Sequence, residues 1–244
     1  MKSTRRMFMA TGACGAAAIA AQALFEPVSF AQQPAPQRGT TLTQEWQESL
    51  TPEQILAAAK RGNERFISGQ PIQRDYQHDV RATKQGQYPA AIVLSCIDSR
   101  APAEIIFDAG IGNIFNARVA GNIVDEDLAG SMEYACKVAG SKVALVMGHT
   151  NCGAVKGAID NVKLGNLTGL LAKLMPAVQA LHDFPGDHSS HNKAFVDAVA
   201  TRNVQLTVEN VRKISPLLKE LEDKKQIVIA GAMYNVSTGK VEFL

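Results

Sequence analysis

Five residues in two short stretches carry groups that could do chemistry together. Cys96, Asp98 and Arg100 alternate in SCIDSR, and His149 and Cys152 stand three apart in HTNC. Two sulfurs and one imidazole nitrogen suit Zn²⁺, whose tetrahedral sites accept Cys and His; three protein ligands leave a fourth position for water or substrate. Beside that set, Asp98 is a candidate hydrogen-bond acceptor and Arg100 its candidate clamp. A guanidinium next to a carboxylate holds it ionised and orients it through a bidentate pair. H-x-x-C alone is a weak signal, and two plainer readings stay open. Cys96 can be a core thiol with His149 a hydrogen-bonded structural histidine, or Cys96 and Cys152 can be joined in a disulfide. A non-catalytic zinc-binding or redox-sensing module would use the same thiols. It needs neither Asp98 nor Arg100.

For these residues to meet, two loops must end at one place. AAIVLS (90–95) is a continuous apolar run that delivers Cys96, and KVALVMG (142–148) is another that delivers His149. Continuous rather than alternating apolar strands, separated by helices, indicate a parallel sheet covered on both faces. In open α/β sheets, sites form outside the carboxyl ends of the strands, where both stretches lie. Between them Pro102 opens a short helix through AEIIFDAG, NIFNARVA is a strand, and EDLAGSMEYACKVAG has apolar residues at helical spacing. Helical patterns follow at 153–161, 166–182 and 191–223, the last with a kink or break at Ser215-Pro216. QIVIAGAMY is a fourth strand, and Ser237-Thr238-Gly239 turns into a short KVEFL edge strand. Upstream, Thr51-Pro52-Glu53-Gln54 has capping-box spacing and starts a helix that stops near Gly69, whereas residues 70–89 read as an extended connection. The expected class is α/β: a single domain with a central, mostly parallel sheet of four to five strands flanked by helices, and an N-terminal helical arm.

Bulk properties fit one good-sized core: 244 residues, 46% hydrophobic and 20% charged. The first 31 residues are set apart. Lys2, Arg5 and Arg6 precede an Ala-rich, modestly hydrophobic segment, and small residues at Ser29 and Ala31 flank a cleavage point, as in an export signal. STRRMFM resembles a twin-arginine signal, the alternative being an ordinary secretory one. Cys14 lacks the leading Leu of a lipoprotein site. The expected organisation is a signal peptide at 1–31, a flexible lead-in at 32–50 and an α/β domain at 51–244, in a periplasmic or otherwise exported protein. The leader holds three of 25 basic and one of 23 acidic residues, leaving 22 of each, so the mature chain is formally neutral. No basic stripe with interleaved aromatics points to nucleic acid. No run in the body approaches the ~20 apolar residues that span a bilayer. Three cysteines remain after cleavage, too few and too odd for a disulfide framework. Cys136, within a helical pattern, reads as a small buried hydrophobe.

SCIDSR with HTNC resembles the β-class carbonic anhydrases, whose zinc site is built from C-x-D-S-R and H-x-x-C on neighbouring strand ends. GNERF (62–66), FDAGIGNIFNARVAGN (107–122), GSMEYA (130–135) and VMGHTNCGAV are similar to that family as well, so the resemblance covers most of residues 50–235. It implies Zn²⁺ held by Cys96, His149 and Cys152, and reversible hydration of CO₂ to bicarbonate and a proton by zinc-hydroxide attack. Two thiolates and a neutral imidazole leave zinc without net charge, so it acidifies water less than a three-histidine site does. An acceptor at Asp98, clamped by Arg100, then helps by orienting the hydroxide. In some members the Asp swings onto the zinc and closes the site, which makes Asp98 a possible fourth ligand. The family usually forms its site at a dimer interface with an N-terminal helix wrapping the partner, which implies a homodimer or homotetramer here.

Two positions depart from the family pattern: many relatives have Gln where Ala109 stands and Asp where Asn113 stands. A more apolar pocket would also admit carbonyl sulfide or carbon disulfide, so a hydrolase of those molecules is the alternative activity. His182, His188 and His191 in LHDFPGDHSSHNK could bind a second metal or shuttle protons. Pro185, Gly186 and Ser189-Ser190 make that segment read as a solvated loop. His78 has no supporting neighbour in the sequence.

Overall fold

The site depends on two strands, each wholly buried, that run side by side in the same direction. A computed structural model of the chain describes residues 41–244; the expected signal peptide lies outside the described residues. Strand β1 (Ala91–Ser95) pairs in parallel with β2 (Ile114–Arg118) on one side and β3 (Val143–His149) on the other. Strand β4 (Val228–Tyr234) continues the parallel set beside β3, and β5 (Val241–Phe243) closes it antiparallel, giving the order β2-β1-β3-β4-β5. The expected mostly parallel sheet is therefore present with five strands. Its two edges differ: among the described residues β2 pairs only with β1, and an exposed Lys240–Glu242 ion pair at 2.9 Å stands at the start of the three-residue β5.

Side chains alternate across the strands and build two cores. Ile92, Leu94, Ala144 and Val146 face one layer, packed against helices α5 (Glu126–Glu133), α9 (Lys193–Ile214) and α10 (Pro216–Asp223). Ala91, Val93, Val143, Leu145 and Met147 face the other, under α2 (Pro52–Ile67) and α4 (Ala103–Ile106). Helix α9 presses so close to β3 that a Cβ at Gly148 would stand 2.5 Å from Val204 Cγ2, so only glycine fits there.

Local signals mostly act as the sequence indicates. Thr51 and Gln54 form the capping box of α2, with bonds of 3.3 and 2.8 Å. Ser215 ends α9 and caps α10 through Leu218 N–H at 3.1 Å. Three expectations need correction. The connection at 70–89 contains helix α3 (Tyr76–Thr83), started by Asp75 Oδ1 accepting from His78 N–H at 2.9 Å. The lead-in contains helix α1 (Gln44–Ser49), anchored by Gln47, which is 3% exposed and donates to the carbonyls of Pro89 and Ala139 at 2.8 Å each. The span 166–182 divides into α7 (Gly165–Ala172) and α8 (Met175–Gln179), with Pro176 in the first turn of α8. Helix α6 (Gly153–Ile159) follows β3 directly, and α5 runs on into a π-helical turn at Tyr134–Val138. Among the described residues no helix is long and apolar enough to cross a membrane.

Candidate metal centre

Register brings the two loops together. Ser95 pairs with Met147, so the chain leaves β1 at Cys96 just where β3 reaches its end at His149. Cys152 follows as the residue preceding α6. The ligand atoms of Cys96, His149 and Cys152 all lie within 4.8 Å of one another, and the three residues are 4%, 1% and 1% exposed. All three described cysteines, Cys96, Cys136 and Cys152, are free, so the disulfide alternative is not what the structure contains.

The donor set fits Zn²⁺. His149 Nδ1 lies 2.9 Å from the Thr150 carbonyl, which places the ring proton on Nδ1. Nε2 is thereby a bare acceptor, buried and without a hydrogen-bond partner, as a metal-ligating nitrogen must be. The thiols cannot both ionise unaided. Hydrogen bonding from Cys152, outweighing burial and aided by the Gly121 amide, holds the Cys96 thiol well below its ordinary range. Cys152 is pushed up by its bond to Cys96, by burial and by the Cys96 charge. Burial opposes a charged His149 ring, but its contacts with Cys96 outweigh that and raise its pKa. A dication among the three removes the conflict by taking both sulfurs as thiolates.

Asp98 lies beside this cluster. Its Oδ1 accepts from Arg100 Nε at 2.9 Å and from the Arg100 amide at 2.9 Å, and its Oδ2 accepts from the guanidinium at 2.7 Å. The Arg100 hydrogen bond, against a smaller burial cost, holds the carboxyl at about 2. Oδ2 stands 3.8 Å from His149 Nε2. Asp98 thus faces Arg100, beside the three-residue ligand cluster.

Several supporting residues escaped the sequence reading. Arg118, at the end of β2, donates from Nε to the Cys96 carbonyl at 2.9 Å and from its guanidinium to the Asp98 carbonyl. Arg118 is the one charged residue of its strand, which was the available signal. The Gly121 amide lies 3.4 Å from Cys96 Sγ, and Thr150 ties the loop to β4 through the Tyr234 carbonyl and the Val236 amide. Other candidates lie apart. Cys136 is a core thiol, pushed up to about 12 by burial. His188 stacks on Phe195 at 4.8 Å between ring centres, and His182 is exposed beside Asp183. With His191 they form no metal-ligand cluster among the described residues. His78 Nδ1 lies 3.6 Å from the buried Asp79. Ala109 lines a cleft of about 530 Å³ between α2 and the sheet, with Trp46, Ile55, Arg65, Phe107 and Leu145, on the α2 side of the strands. Asn113 accepts the Leu42 amide at 3.3 Å, which ties the start of the described chain to β2.

Comparison with known proteins decides what this arrangement belongs to. The family model described as carbonic anhydrase matches residues 91–241, from the start of β1 to β5. The chain belongs to the carbonic anhydrase family. Carbonic anhydrase 2 of Mycobacterium tuberculosis is 34% identical over 189 residues, covering 75% of this chain and 88% of that protein. The carbonic anhydrase of Mycolicibacterium smegmatis is 32% identical, covering 76% and 89%. Its fold is that of the β class. The β-carbonic anhydrase CafA of Aspergillus fumigatus superimposes with a TM-score of 0.62 at 23% identity, over 78% of this chain and 90% of that one. One of two tetrameric β-carbonic anhydrases from Sordaria macrospora gives 0.61 at 24%, over 69% and 90%.

Proposed function

We propose that this carbonic anhydrase family member catalyses the zinc-dependent, reversible hydration of CO₂ to bicarbonate and a proton. One observation carries the reading: a buried Cys–His–Cys ligand set with an Arg-clamped carboxylate at its rim, in a chain of this family. Cys96, His149 and Cys152 would hold the metal. Zinc, when bound, supplies the Lewis acidity that lets water act as a nucleophile near neutral pH. The chain's own residues do the orienting. Asp98 Oδ2, ionised and near His149 Nε2, accepts the hydrogen bond of the attacking water and turns its lone pair toward CO₂. Arg100 keeps that oxygen charged and aimed, using both arms of its guanidinium and its own amide. Arg118 fixes the backbone on either side of Ile97, so the sulfur and the carboxylate keep their spacing.

The test is stopped-flow CO₂ hydration on the zinc-loaded mature chain at pH 7 and pH 9, beside Asp98→Ala. Turnover that drops roughly 10-fold or more in the variant supports the reading. No turnover at either pH with zinc bound overturns it, and carbonyl sulfide and carbon disulfide become the substrates to assay.

A homodimer or homotetramer is part of the same proposal. Among the described residues strand β2 leaves one sheet edge unpaired, and Tyr134, packed edge-on against Phe115 of that strand, is 53% exposed. Ile97 and Ile105 are about as exposed, at 61% and 60%. Apolar surface of this kind beside an open edge suits a second copy of the chain. Export is proposed from Arg5-Arg6 and the segment that follows, with cleavage near Ala31. A twin-arginine route moves folded proteins, so Cys96 and Cys152 could take up zinc before meeting an oxidising compartment. Rerouting the chain through an unfolded-chain pathway is expected to yield metal-free or disulfide-linked protein, read by zinc content and free-thiol titration. Equal zinc content from both routes would count against it.

A further inference from the structure

Helix α9 supplies no ligand, yet one of its polar side chains reaches the loop between His149 and Cys152, and another reaches the turn after β2 whose amide bonds the Cys96 sulfur. Asn203, 3% exposed, donates from Nδ2 to the Gly121 carbonyl at 2.7 Å. The amide of the same Gly121 donates to Cys96 Sγ at 3.4 Å. Gly121 sits at φ +73°, and a Cβ there would stand 2.9 Å from Leu174 Cδ1, so only glycine suits the residue that joins the peptide carrying this N–H to the peptide carrying this carbonyl. Six residues earlier on α9, Asp197 Oδ1 accepts the Asn151 amide at 2.7 Å. Asn151 lies between His149 and Cys152 at φ +55°, a left-handed conformation that costs about 1 kcal/mol or more unless its surroundings hold it.

The geometry points to α9 as the outer coordination shell of the zinc centre. Asn203 positions the N–H that donates to the Cys96 sulfur, and Asp197 positions the loop that spaces His149 from Cys152. Both are positioning residues, and the inference rests on the zinc reading given above. An N–H bond to a metal thiolate draws electron density off the sulfur and fixes its approach; loss of such a partner typically weakens metal binding 10–100-fold. The adjacent packing holds α9 rigidly enough for the task. Gly148, next to His149, admits Val204 of α9 at a distance no other residue would tolerate.

The experiment uses the full mature chain with two metal readouts: zinc affinity by chelator competition, and the visible spectrum of the Co²⁺-substituted protein. Asn203→Asp keeps the side chain's shape but sets an acceptor against the Gly121 carbonyl. It should bind zinc roughly 10–100-fold more weakly and move the thiolate-to-cobalt charge-transfer band to longer wavelength. Asp197→Asn retains an acceptor oxygen and should keep the parental affinity, whereas Asp197→Leu should lose about 10-fold. Val211→Ala, fully buried further along the same helix, is the control. It should lower Tm and leave both metal readouts alone. The inference fails if Asn203→Asp and Asp197→Leu behave like that control, with zinc affinity within about threefold of the parent and the cobalt band unmoved. Should Asn203→Asp not fold, the contrast between the two Asp197 variants decides alone. A parent chain that takes up neither metal overturns this inference together with the zinc reading; a parent that binds both, with unresponsive variants, overturns this one only.

Discussion

Arg100 acts on Asp98 in two separable ways, by charge and by shape. Its fork holds the carboxyl at about 2, so Asp98 is ionised throughout the neutral range and a loss of activity between pH 5 and pH 9 has another source. Arg100→Ala should let the Asp98 midpoint rise toward the ordinary value of about 3.9, leave it ionised at pH 7, and still cut CO₂ hydration roughly 10–100-fold. Arg100→Lys restores a positive charge without the fork and should recover little. Full recovery in the lysine variant would mean that charge alone matters; carbon-13 titration of the carboxyl checks the midpoint. The legible residues were those whose side chains announce their chemistry. Cys96, Asp98, Arg100, His149 and Cys152 stood out by type and spacing, and the structure brings all five together. Arg118, Gly121, Asp197 and Asn203 did not, because each works through a backbone amide or carbonyl. Main-chain partners leave no mark on residue type.

Among the elements, α9, α10 and the sheet also meet at an ion pair with bonds to both the amide and the carbonyl of Ile229. Glu222 of α10 pairs in bidentate fashion with Arg212 of α9 at 2.7 and 2.8 Å, and its Oε1 accepts the Ile229 amide of β4 at 3.3 Å. The Arg212 contact, larger than the opposing burial cost, lowers the Glu222 pKa. A carboxyl lowered by folding stabilises the native state above its unfolded pKa, near 4.3, and that stabilisation is lost as pH falls through the folded value. Glu222→Gln should therefore cost about 1 kcal/mol at pH 7, and the difference from the parent should shrink below pH 4. Urea midpoints at pH 7 and pH 3 measure it; a gap that persists at pH 3 would place the effect in packing. The break between these helices was visible in Ser215-Pro216, and strands β1 and β3 in their unbroken apolar runs. Helices α1 and α3 were not visible. Helix α3 has one aliphatic residue beyond alanine, Val80, and its start rests on the Asp75 cap. Helix α1 is fixed by Gln47 reaching carbonyls 42 and 92 residues away, which no local pattern encodes.

At the scale of the whole molecule, the metal centre ties three strand ends and a helix start into one unit: Cys96 after β1, the turn after β2, His149 on β3 and Cys152 before α6. Metal binding should therefore be felt as global stability. With zinc at 100 times its Kd, linkage contributes about 2.7 kcal/mol, and for a domain of this size each kcal/mol moves Tm by roughly 2–4 °C. Chelation should lower Tm by about 5–10 °C and zinc should restore it, read by calorimetry. A Tm indifferent to chelator would mean that the folded chain binds zinc no better than the unfolded one.

The unequal edges of the sheet set a limit on growth. At β5 the outer edge is three residues long, displays Glu242 and follows the exposed Lys240, a poor template for another strand. At β2, among the described residues, five stand open. Molecules that can be joined side by side through only one end cannot form a row: a twofold-related neighbour uses up both open strands and leaves a β5 at each extremity. If the proposed pairing uses the β2 edge, extension by strand pairing would end at a pair, and a tetramer would have to use another surface.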